Sequence, residues 1–182
     1  MAGKNRNDAD RIRKDLLSAV GNSLGSGTGG YSLSSSVTDP QRKKLFGLWR
    51  VEEHLVGESD YIEHFSRSTL NGRPLLNPQY LAEYEFRPAV CLKRVDIIGI
   101  LDIEGREVPY SYRMRLALTW EIGSGVLKVQ PELGYQYSSV DGVASTVRDF
   151  YSSPPVAVVF VLKDQSLVLE EGGDRKILRR IS

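Results

Sequence analysis

Every even-numbered residue from Val108 to Ile122 is apolar: Val108, Tyr110, Tyr112, Met114, Leu116, Leu118, Trp120 and Ile122. The positions between them include Ser111, Arg113, Arg115, Thr119 and Glu121. Only a β-strand has a side-chain period of two, so this stretch predicts one long strand with an apolar face and a wet face. The alternation resumes after Gly123-Ser124-Gly125 as Leu127, Val129, Leu133, Tyr135 and Tyr137. Two such runs around a short glycine-containing link predict a hairpin.

The same reading yields eight strands. In order they are Leu45–Val56, Gln79–Phe86, Val90–Ile103, Glu107–Ile122, Val126–Tyr137, Val156–Leu162, Ser166–Glu171 and Lys176–Ile181. Most links are short and carry turn residues, such as Glu104-Gly105 and Gly172-Gly173-Asp174, so neighbours in sequence pair in space. A strand of about 15 residues spans about 50 Å, too long for a small flat sheet. Eight antiparallel meander strands instead close into a barrel, either filled by side chains or holding one small ligand. Two links are longer. Gly57–Pro78 predicts a helical turn around Tyr61–Phe65 and a loop shaping the barrel mouth. Ser138–Pro155 predicts a short helix over Val143–Tyr151, placed to cover the doubly apolar run Val156–Leu162. The fold class is therefore all-β, an eight-stranded up-and-down barrel over residues 41–182, preceded by an arm over residues 1–40.

The arm differs in composition. Asp8 is a candidate cap for a short helix carrying Ile12, Leu16 and Val20 on one side, and Gly21 is its stop. A Gly/Ser-rich tether follows. The segment reads either as a disordered tail or as a docking peptide on a leash, with Ile12, Leu16 and Val20 as the docking side. The chain has 182 residues, 24 basic and 23 acidic, a balance unlike that of a dedicated nucleic-acid binder. Cys91 is the only cysteine, so no intrachain disulfide or cysteine zinc site is expected. No apolar run reaches the roughly 20 residues of a membrane span, and the first residues lack a secretory apolar core. A soluble chain is expected, and the free thiol favours the cytoplasm.

The first strand opens with Gly47-x-Trp49, and the last ends in Lys176-Ile-Leu-Arg-Arg-Ile181. This pattern resembles the lipocalin-like (calycin) barrels. The resemblance implies that Trp49 plugs one end of the barrel and that a basic residue of the last strand, Arg179 or Arg180, packs over it by a cation–π contact. It implies structural roles for Gly47, Trp49 and Arg179, and says nothing of a ligand.

Catalytic chemistry finds little support. The only histidines are His54, on the polar phase of its strand, and His64. Neither stands at metal-ligand spacing. No Gly-x-Ser-x-Gly elbow occurs, and the Gly25–Gly30 run lacks the lysine of a phosphate loop. Paired carboxylates such as Glu170 and Glu171 read as wet-face residues. The chain is expected to be no enzyme and to need no metal or cofactor. The predicted inward faces carry Tyr84, Phe86, Tyr110, Tyr112, Trp120, Tyr135 and Tyr137, apolar walls with a few hydroxyls that suit a small, largely apolar ligand. They equally suit a filled core. The alternative function is thus a structural subunit that docks into a larger assembly through its arm and an outer barrel face. Deleting residues 1–38 is expected to leave a cooperative urea transition intact. Its loss would move the domain boundary upstream.

Overall fold

Asp141-Gly142 and Glu104-Gly105 both have two successive residues at positive φ, 53° and 78° in the first pair and 56° and 81° in the second. That is the type I′ turn whose twist matches a β-hairpin, and Gly172-Gly173, at 56° and 89°, follows the same pattern. A computed structural model describes residues 40–123 and 126–182. Within them lie α1 (Pro40–Leu45), β1 (Gly47–Val56), β2 (Ser59–Asp60), α2 (Tyr61–Thr69), β3 (Leu75–Phe86) and β4 (Cys91–Ile103). They continue as β5 (Arg106–Gly123), β6 (Val126–Val140), β7 (Val143–Tyr151), β8 (Val156–Lys163), β9 (Ser166–Glu171) and β10 (Asp174–Arg180). Ile12, Leu16 and Val20 lie outside the described residues.

The strands pair antiparallel in the order β1-β3-β4-β5-β6-β8-β9-β10, and β10 pairs back with β1. This is a closed eight-stranded barrel, and its eight wall strands are those read from the sequence. The segment Val143–Tyr151 is not the expected helix. It is β7, which extends β6 outside the barrel circuit. The Asp141-Gly142 turn launches it as the second strand of a hairpin with β6. Among the described residues no helix covers the outside of β8, where Val159 and Val161 are 53% and 59% exposed.

One end is shut by side chains. Trp49 is fully buried and its indole N–H donates to the Leu45 carbonyl at 2.7 Å. Of the two candidate arginines, Arg180 covers it, with its guanidinium 4.4 Å above the ring and donating to the Phe46 carbonyl at 2.5 Å. Arg179 does not take this place. Residues of β10 alternate, so Lys176, Leu178 and Arg180 turn inward while Arg179 reaches Glu52 on the outside. A second pair repeats the device: Arg42 of α1 lies 4.3 Å over Trp120, whose N–H donates to the Arg87 carbonyl at 2.9 Å.

Toward the other end the wall parts. β1 pairs with β3 only from Gly47 to Arg50, and the Leu75–Ala82 part of β3 pairs with β4 alone. There α2 packs against the inner face. Asp60 caps it by accepting from the Ile62 N–H at 2.8 Å. Phe65 meets Tyr112 edge-on at 5.1 Å, in a cluster with Ile97, Leu101 and Tyr110.

Gly47 sits at φ 121°, and a Cβ there would stand 2.2 Å from the Ser182 carbonyl oxygen. Gly57, at φ 63°, has open space around it. Gly47→Ala is expected to cost roughly 2–5 kcal/mol, backbone strain plus overlap. Gly57→Ala is expected to cost about 1–2 kcal/mol, strain alone. Urea unfolding of the two variants checks the difference, and equal costs would remove the close approach from the account.

Candidate functional site

Phase decides which side chains meet inside the barrel, and slips in three wall ladders reset it, two of which place the site residues. In β1 the pairing with β10 slips between Val51 and Glu53. Glu52 and Glu53 both face outward, and His54, predicted at the surface, turns inside with 6% exposure. In the β5–β6 ladder the slip falls where Ala117 opposes Leu133 and Leu118 opposes Pro131. Leu127 and Val129 face the interior, but beyond the slip the odd-numbered residues face out. Tyr135 and Tyr137 therefore stand opposite Arg115 and Arg113 on the outer wall, not in the lumen. Gly134 takes the inner position, where a Cβ would lie 2.2 Å from the Arg115 carbonyl oxygen.

The interior holds a partly open cavity of about 160 Å³. Tyr84 and Phe86, both predicted to bind ligand, line it. The other predicted residues do not. Trp120 is buried at the shut end against Phe46 and Phe86. Tyr110 and Tyr112 are buried beneath Phe65 of α2. The apolar lining comes instead from aliphatic residues such as Leu118, Leu127, Val158 and Leu169, and polar groups are set among them: Lys93, Glu171, Asp174 and Lys176.

These four were missed in the sequence, and for three a signal existed. Cys91, Lys93, Val95 and Ile97 alternate on one face of β4, so Lys93 sits on an apolar phase. Lys176 shares its face of β10 with Leu178, and Glu171 shares its face of β9 with Leu167 and Leu169. A charge on the buried phase of a strand has to be paired or aimed into a polar cavity.

Asp174 organises the group. Its Oδ1 accepts from His54 Nε2 at 2.8 Å and from Lys176 Nζ at 2.5 Å. His54 Nδ1 lies 2.6 Å from the Tyr80 hydroxyl, and its ring stacks on Tyr61 at 4.0 Å. Burial pushes the Tyr80 phenol well above its ordinary range, so it keeps its proton and donates to Nδ1. Burial also lowers the His54 pKa, against the pull of Asp174. The imidazole is then neutral with its proton on Nε2, pointing at the carboxylate. Burial by itself would raise the Asp174 pKa, but the hydrogen bonds from His54 and Lys176 outweigh it and hold it near 2. The chain Tyr80–His54–Asp174–Lys176 orders the wall, and Asp174 and Lys176 are the members that face the cavity.

Lys93 is different. It is half-buried, and its ammonium lies 5.5 Å over the Tyr84 ring. Among the described residues no carboxylate oxygen comes within 4 Å of it. Burial pulls its pKa down, and Asp174, Cys91 and Glu171 act on it only at longer range. The described residues contain no cluster of three side chains able to hold a metal ion. No described helix is long and apolar enough to cross a membrane.

In comparisons with known proteins, no family model, no curated protein and no solved structure matches this chain.

His54 and Asp174 contribute to the pH response on the acid side. Above pH 6.5, His54 is neutral whether the chain is folded or not. Below it, the unfolded chain takes up a proton that the folded site resists, so stability falls as pH drops from about 6.5. Asp174 is ionised in the fold down to about 2 against 3.8 when unfolded, so its contribution is lost as pH falls from about 4 to 2. The urea midpoint is expected to decline across both windows, and His54→Gln is expected to flatten the upper one. A wild-type midpoint unchanged between pH 7 and 5 would contradict a buried neutral His54.

Proposed function

We propose that this protein is a non-enzymatic binder of a small, largely apolar molecule held in the barrel lumen. The observation that carries this reading is the cavity of about 160 Å³ inside the wall, with an aliphatic lining and a few fixed polar groups. Ligand sites have this mixture of apolar surface and sparse, well-placed polarity. The size sets the ligand class. Drug-sized ligands occupy about 300–1,000 Å³, whereas a dry cavity of about 150 Å³ takes up benzene. The ligand is a single ring or a short branched chain, not a long lipid. The shut end, with Arg180 over Trp49 behind Gly47, supports the lipocalin-like reading of the barrel.

A second reading has its own support. Val159 and Val161 leave an apolar stripe exposed on β8, and such stripes serve as interfaces. Under that reading the protein is a subunit of a larger assembly, docked by this outer face together with the N-terminal arm.

Native mass spectrometry of the protein purified gently from its own source separates the two. A small adduct that leaves on denaturation is expected. Val158→Phe, which puts a ring into the lumen, is expected to remove the adduct or lower its occupancy at least tenfold. A bare protomer mass found only within a larger complex would favour the assembly reading.

A further inference from the structure

We propose that the lumen ligand is a small monocarboxylic acid whose carboxylate pairs with the Lys93 ammonium; this rests on the lumen-binding reading and names the class of its ligand. Charge selects the ligand class. Four ionisable side chains line the cavity: Lys93, Lys176, Asp174 and Glu171. Asp174 and Lys176 neutralise each other at 2.5 Å, and the second contact of the same carboxylate oxygen goes to His54. Glu171 stands exposed at the cavity edge, where water solvates it. That leaves Lys93, fixed between Cys91 and Val95 on the inner face of β4. Its ammonium nitrogen lies 5.5 Å over the Tyr84 ring.

A half-buried ammonium without a carboxylate partner is costly unless something in the cavity answers it. The Cys91 thiol does not, because burial keeps it protonated. A second carboxylate on the wall would have completed the ion pair within the protein, and among the described residues none lies within 4 Å of Lys93. An anion entering the cavity meets an amine with no carboxylate within 4 Å among the described residues, which the anion's own charge favours in the ammonium form, and aliphatic walls at Leu127, Val158 and Leu169. The charged head and apolar body of a small carboxylic acid fit both. A neutral alcohol of the same shape fits only the walls. A primary amine sets a second cation beside Lys93 and is rejected.

The test titrates the full chain with benzoate, benzyl alcohol and benzylamine, following binding by calorimetry and by chemical shifts of the lumen methyl groups. Benzoate is expected to bind wild type at least tenfold more tightly than benzyl alcohol, with no saturable binding of benzylamine. Lys93→Met is expected to weaken benzoate at least tenfold while holding or improving benzyl alcohol. Equal affinity of wild type for acid and alcohol would overturn the role of Lys93 and leave the lumen-binding reading standing. Binding of none of the three at millimolar concentration would overturn both. Benzoate affinity unchanged in Lys93→Met would place the anion elsewhere and also overturn the inference. Should Lys93→Met fail to fold, as circular dichroism would show, Lys93→Gln replaces it, and the wild-type ranking of the three compounds decides independently.

Discussion

A closed barrel has a single interior, and every wall strand must offer alternate residues to it. That constraint begins with the ladder between β1 and β10, which runs from Trp49 opposite Arg180 to Val56 opposite Asp174. Without it the sheet would be an open ribbon whose apolar face met water. With it, Trp49, Phe86, Cys91, Leu127, Leu167 and Leu178 collect in one core at the shut end. The plug of Trp49 and Arg180 sits where the closing strands begin and end, so the seam and the stopper are built from the same few residues. The outer wall is tied differently. Arg50 pairs with Glu83 at 2.8 Å, Arg115 with Asp96 at 2.6 Å, and Arg94 reaches both acids, linking β1, β3, β4 and β5. Single exposed pairs add little stability, but this network lies in register across four strands.

Two one-residue slips give the interior its chemistry. The slip in β1 carries His54 from the wet face to the lumen side, within reach of Tyr80 and Asp174. The slip in the β5–β6 ladder takes Tyr135 and Tyr137 out and leaves Gly134 facing in. Removing either extra residue would exchange the faces of everything beyond it on that strand. The polar cluster and the aliphatic cavity therefore depend on backbone irregularity as much as on residue type.

The strands were legible because alternation is a property of neighbours a few residues apart. The plug was legible in outline from Gly47, Trp49 and the basic end of β10, although only the phase of β10 selects Arg180 over Arg179. The slip at Val51–Glu53 carries no marker in its residues, whereas Pro131, which cannot donate to a ladder, and Gly134 were signals for the slip in β6 that the alternation reading passed over. Every assignment downstream of them inverted, which is why two of the predicted ligand tyrosines lie outside. Asp141-Gly142 was a hairpin signal that the helical reading of Val143–Tyr151 overrode. Lys93 was visible as a charge on an apolar phase. Its lack of a partner was not, because the candidates, Asp174 and Glu171, come from strands far away in sequence.

The same remoteness has a consequence for how the protein is made. The two residues joined at the seam by His54 and Asp174 are 120 positions apart. A ribosome adding about 5–20 residues per second needs on the order of ten seconds to cross that interval. Through that wait β3 to β6 have emerged and can pair as hairpins, with their future inner faces uncovered. The half-made wall thus keeps its apolar inner face uncovered through synthesis, and the lumen exists only once β10 has paired with β1.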